Sequence, residues 1–100
     1  MSNLNLEFIG ELEAIIQSRL ANPTNDSYTA KLAAAGPKRI AQKVGEEAVE
    51  LAIAALSGDR DEIIDEAADL IYHMIVLLSN QHLTLADVAV RLEARHNDRC

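Results

Sequence analysis

Five carboxylates carry the chemistry this sequence offers. Glu46, Glu47 and Glu50 form E-E-x-x-E, and Glu66 and Asp69 form E-x-x-D. At about 100° per residue, the first three fall within about 100° of one another on a helix, and the three-residue step brings the second pair to neighbouring positions. Like charges at such spacings repel, and more strongly when partly buried between helices. Residues 46–69 hold nine of the sixteen acids and a single base, Arg60, so side chains nearby in sequence cannot neutralise them. A hard divalent cation is the best candidate to do so. Mg²⁺ takes oxygen ligands, keeps several waters and bridges carboxylates to phosphates, which suits an all-carboxylate set without nearby Cys.

The complement is residues 27–45, which contain Lys31, Lys38, Arg39 and Lys43 and no acid. Lys43 stands one turn before Glu46 and Glu47, so a basic patch borders the acids and can receive phosphates. Gly45 lies inside the same helical stretch, where glycine costs about 0.5–1 kcal/mol relative to alanine; close approach of a ligand or another helix is a reason to keep it. Each acidic motif taken alone reads as a solvated helix face, and ordinary surface charge is an equal reading of Lys38, Arg39 and Lys43. His73, four residues after Asp69, reads as a structural histidine hydrogen-bonded near the core rather than a ligand. Tyr28 and Tyr72 read as packing residues.

The elements that must position these groups are helices. Asn5 can cap a first helix to about Arg19, with Phe8, Ile9, Leu12, Ile15 and Ile16 at helical spacing. Asp26 or Ser27 can cap a short second helix through about Ala35, which Gly36 ends. Pro37 suits the first turn of a third, running through Ile40, Val44, Val49 and Ile53 to Leu56, with Gly58 as its stop. Asp59 and Glu62 resemble a capping box ahead of a fourth helix with apolar positions at 63, 64, 67, 68, 71, 74, 75 and 78. Thr84 with Asp87 opens a final helix carrying Leu85, Val88 and Leu92, expected to fray after Glu93. Helices three and four should pack as an antiparallel hairpin at the centre of an all-α bundle. Glu50 lies eight residues before Gly58 and Glu66 eight after, so the two acidic clusters stand at matching heights.

Composition sets the outer limits. One hundred residues at 49% hydrophobic content fit one domain, 1–100, with an aliphatic core, since aromatics make up 3%. A chain this short buries only roughly 60–70% of its unfolded surface, and its apolar central helices exceed what three other short helices can cover; a homodimer or larger assembly is expected. The net charge of −7 argues against a general nucleic-acid binder. A lone cysteine, Cys100, excludes an intrachain disulfide and suits a reducing compartment. The start of the chain lacks signal-peptide character, and its most apolar run, Leu70 to Leu78, is far shorter than the ~20 residues of a membrane span. A cytoplasmic location without membrane partners is expected.

E-E-x-x-E followed by E-x-x-D resembles the metal-binding pattern of the all-helical, MazG-like nucleoside triphosphate pyrophosphohydrolases. Within that superfamily, Ser27-Tyr28-Thr29-Ala30-Lys31-Leu32, the run from Gly36-Pro37-Lys38-Arg39 through Lys43-Val44-Gly45-Glu46-Glu47 to Glu50, and Asp65-Glu66-Ala67-Ala68-Asp69-Leu70-Ile71-Tyr72-His73 are similar to the phosphoribosyl-ATP pyrophosphatases. The resemblance covers nearly the whole chain and implies a single-activity form, because the chain is too short for the cyclohydrolase domain fused in some relatives. It implies that Glu47, Glu50, Glu66 and Asp69 are metal ligands, with Glu46 completing the shell or orienting the attacking water. It implies hydrolysis of phosphoribosyl-ATP to phosphoribosyl-AMP and pyrophosphate in histidine biosynthesis; charge placement, with the acid-free segment beside the acids, separately assigns Lys38, Arg39 and Lys43 to the substrate's phosphates. Three rivals remain: a house-cleaning hydrolase of noncanonical nucleotides from the same superfamily, a non-enzymatic acidic helical module docking a basic partner, and a di-iron bundle. The last ranks lowest, since two E-x-x-H motifs are normally needed and only Glu93 with His96 is present.

Overall fold

Local signals in the chain set the ends of five helices, which a computed structural model describes over residues 4–99; Cys100 lies outside the described residues. α1 spans Leu4–Ala21, so Asn5, the expected cap, lies within the helix. Ser27, not Asp26, caps α2 (Tyr28–Ala35), its hydroxyl accepting from the Ala30 N–H at 3.1 Å. Gly36 joins α2 to α3 (Pro37–Ser57) at φ 102°, a backbone region that L side chains rarely adopt, and its carbonyl accepts from the Arg39 and Ile40 amides. Gly58 ends α3 in the left-handed region at φ 78°.

Asp59 then caps α4 (Arg60–Asn80) by accepting from the Asp61 and Glu62 amides. The expected box closes only halfway, because the Asp59 N–H is taken by Ser57 Oγ at 3.3 Å instead of by Glu62. Thr84 and Asp87 do form the reciprocal pair at the start of α5 (Leu85–Arg99), at 2.9 and 3.1 Å. α5 runs past Glu93 to Arg99, as no glycine or proline interrupts it. Ahead of it, α4 closes with His82 at φ 60°, His82 N–H donating to Ser79 O and Leu83 N–H to Leu78 O, a Schellman turn with histidine where glycine is usual.

Ile16 of α1, Leu32 of α2, Ile40 of α3 and Ile75 and Val76 of α4 form the core, with Ile9, Leu12, Leu20, Ile71 and Leu77 packed against it. Each fully buried aliphatic contributes about 1.5–3 kcal/mol. α3 and α4 pack against each other most extensively, as the antiparallel hairpin. Part of the expected core is not covered: Phe8, Ile15, Val49, Ile53, Leu56 and Ile64 remain exposed, Leu56 at 89%. Helical period says which residues share a face but not what covers that face. α5 adds little cover; its first turn is tied down by Leu85, whose N–H donates to Glu13 Oε2 at 2.7 Å, while residues 89–98 are exposed. The radius of gyration, 15.0 Å, exceeds the ~13 Å expected for this length. Among the described residues, no helix is long and apolar enough to cross a membrane.

Candidate functional site

Three elements build the site. α3 turns Glu47 inward, where it is only 6% exposed between Ile40 and Ala54, the other buried positions of that helix. Glu46 and Glu50 lie roughly 100° and 60° round the helix from it and reach the exposed flank. On α4, Glu66, Asp69 and His73 follow at three- and four-residue steps, which stacks them along one face. The matched heights hold: Glu66 has its carboxyl held above its ordinary value first by partial burial and then by the charges of Glu50, Asp69, Glu47 and Glu62, in that order. Glu50, from the opposite arm of the hairpin, is thus the strongest charged neighbour of Glu66.

Glu46 stands apart from that group. Its carboxylate accepts from Gln42 Nε2 at 2.9 Å and lies 3.9 Å from Lys43 Nζ, so it marks the border between acids and bases. Lys38 and Arg39 are exposed about two turns before it, and Lys43 is partly buried. Among the described residues, no basic side chain forms an ion pair with Glu50, Glu66 or Asp69. No three acidic, histidine or cysteine side chains already converge on one point there either; the like charges lie spread along two helices.

His73 is the hydrogen-bonded histidine near the core that the sequence suggests, and the two tyrosines that read as packing residues also make polar links. His73 is buried, and its Nδ1 bonds Glu47 Oε1 and lies 3.0 Å from the Asp69 carbonyl. Its Nε2 is 2.9 Å from the Tyr28 hydroxyl. The Tyr72 hydroxyl bonds Thr29 Oγ1, and the two tyrosine rings stack at 6.1 Å. The signal for His73 is present in the sequence, as it continues the Glu66–Asp69 face by one turn; nothing local signals the Tyr28 hydroxyl, whose partner is 45 residues away. Gly45 has no atom within 4 Å of a Cβ built on it, so no other helix of this chain is the reason for the glycine. It lines, with Gln42, Glu46, Val49 and Glu50, an open hollow of about 560 Å³ on the outer side of α3.

The family model for phosphoribosyl-ATP pyrophosphohydrolase matches residues 9–96. The chain belongs to that family. It is a hydrolase family of all-α fold, which sets this chain apart from the acidic interaction module and the di-iron bundle. Similar curated proteins include the histidine biosynthesis bifunctional protein HisIE of Photobacterium profundum, 54% identical over 92% of this chain and 44% of that protein. The HisIE proteins of Campylobacter jejuni and Yersinia pestis are 51% and 53% identical to this chain, over 94% and 89% of it and 45% and 44% of their own lengths. The chain therefore spans less than half the length of these relatives.

Proposed function

We propose that this pyrophosphohydrolase-family chain hydrolyses phosphoribosyl-ATP to phosphoribosyl-AMP and pyrophosphate in histidine biosynthesis, with Mg²⁺ held by Glu47, Glu50, Glu66 and Asp69. Glu46 completes the shell or orients the attacking water. The observation that carries the reading is the facing of two carboxylate clusters across the α3–α4 hairpin, with no Lys or Arg paired to Glu50, Glu66 or Asp69 among the described residues, in a chain of this family.

Dependence on a divalent metal is general in the family. The donor set fits one: it is all oxygen, and Mg²⁺ needs only one or two carboxylates besides waters and phosphates rather than a closed protein cage. A divalent ion held by these carboxylates would supply Lewis-acid chemistry, stabilising charge on phosphate oxygens and making a nearby water more acidic. The chain's own residues do the rest. Glu47 presents a carboxylate fixed from behind by His73. Gln42 and Lys43 hold Glu46 at the edge of the cluster. Arg39 and Lys43 continue that edge and Lys38 opens on the outer face; together they supply cationic contacts for phosphates the metal does not reach, including the ribose 5-phosphate. A second copy of the chain covers the exposed Val49, Ile53 and Leu56 beside Glu46 and Glu50.

Pyrophosphate release from phosphoribosyl-ATP should require added Mg²⁺ and stop with a chelator. Glu50→Gln and Glu66→Gln should each lower kcat/KM by more than about a hundredfold, beyond the roughly 10–100-fold lost with supporting groups around a metal. Parental turnover in both variants would end the metal assignment. Equal or faster turnover of noncanonical nucleoside triphosphates would favour the house-cleaning reading.

A further inference from the structure

Of the five acids, Glu47 alone is buried, and three helices combine to hold it. Its Oε1 meets His73 Nδ1, which also faces the Asp69 carbonyl oxygen at 3.0 Å. A carbonyl can only accept, so Nδ1 carries a hydrogen and donates. In the neutral ring Nε2 is then an acceptor, and the Tyr28 hydroxyl, 2.9 Å away, donates to it. Tyr28 is in turn set by its stacking on Tyr72, whose hydroxyl bonds the buried Thr29. The polar chain thus runs from the N-terminus of α2 through α4 to the inner face of α3.

We propose that His73 and Tyr28 are positioning residues for Glu47: the Tyr28–His73 pair commits Glu47 Oε1 to the imidazole, so that Oε2 is the oxygen offered to the cation. This rests on the metal-dependent reading above. Its physical basis is that a ligating carboxylate held by a hydrogen-bonded neighbour loses less freedom on binding and keeps its orientation.

Mn²⁺ serves as the probe, its binding to the full chain followed by the loss of the free-ion electron paramagnetic resonance signal, with folding checked by circular dichroism melts. His73→Leu should weaken Mn²⁺ binding by roughly 10–100-fold. His73→Asn, whose amide nitrogen can stand near the Nδ1 position, should recover most of that loss, and Tyr28→Phe should show a smaller loss at an unchanged melting profile. A folded His73→Leu variant with parental affinity, or His73→Asn no better than His73→Leu, overturns the proposal. Should His73→Leu not fold, Tyr28→Phe decides, since parental binding there overturns the relay and weakened binding supports it. A parent chain that holds no Mn²⁺ overturns the metal reading and the relay together, whereas Mn²⁺ bound equally by parent and variants overturns the relay alone.

Discussion

On the side of α3 that faces α2 and α4, Ile40, Glu47 and Ala54 are buried, and the charged one among them is bonded to His73. On the opposite side, Val49, Ile53 and Leu56 are 58%, 59% and 89% exposed, and the surface around Gly45 is open. One helix therefore carries a face that this chain closes and a face that it does not. Glu46 and Glu50 sit along the boundary between them. The inner face organises the acids, while the outer face leaves room beside them for something that comes from outside the chain.

The sharpest way to break that contrast is to place charge on the outer face. Ile53→Glu with Leu56→Glu should convert a dimer to a monomer in light scattering, because charges in a covered apolar interface cost several kcal/mol. A parent that is already monomeric at micromolar concentration removes the second copy from the account.

A smaller effect is expected where the bases line the boundary. At least one of Lys38→Ala, Arg39→Ala and Lys43→Ala should lower the preference for phosphoribosyl-ATP over ATP by about tenfold or more, since a charge-assisted contact to phosphate is worth roughly 1.5–3 kcal/mol. The measurement is kcat/KM on both substrates. If all three keep the parental ratio, the distal phosphate is read elsewhere, with Arg91 and Arg95 of the exposed part of α5 the next to test.

The smallest effect is also the most discriminating. In the monomeric Ile53→Glu, Leu56→Glu background, Gly45→Ala should raise stability by about 0.5–1 kcal/mol in urea titration, because the added methyl meets nothing within 4 Å. In the assembled parent background the gain should shrink or reverse. An equal gain in both backgrounds would mean that assembly brings nothing near Gly45.

Much of the inner face is legible in the sequence. Pro37, Gly58 and Asp59 mark the limits of the hairpin through fixed backbone preferences, and equal spacing about Gly58 brings Glu50 to Glu66. The outer face is legible only as apolar. Val49, Ile53 and Leu56 have the same hydrophobic signature as the buried Ile40, and periodicity carries no information about which stripe finds a partner within the chain. The polar relay escapes for a different reason. Glu47 and His73 are 26 residues apart, and Tyr28 and His73 are 45, so their pairing is a product of helix packing that no local spacing rule encodes. For α5, polarity after Glu93 suggests fraying, yet backbone hydrogen bonding continues to Arg99 in a stretch free of helix breakers.

The Ser57-Gly58-Asp59 turn also acts as a fold in a ruler. Fifteen residues separate Glu50 from Glu66, and both arms of that interval are continuous helix, so each residue gained or lost on one arm slides its cluster by about 1.5 Å along the other and swings it about 100° around its axis. Length changes between the two acids are therefore tolerable only as matched pairs, and only in steps close to whole turns. The open ends of the hairpin, before Glu46 and after His73, carry no such restriction on the acids, which makes the spacing between the two motifs a quantity under stricter geometric control than the length of the chain around it.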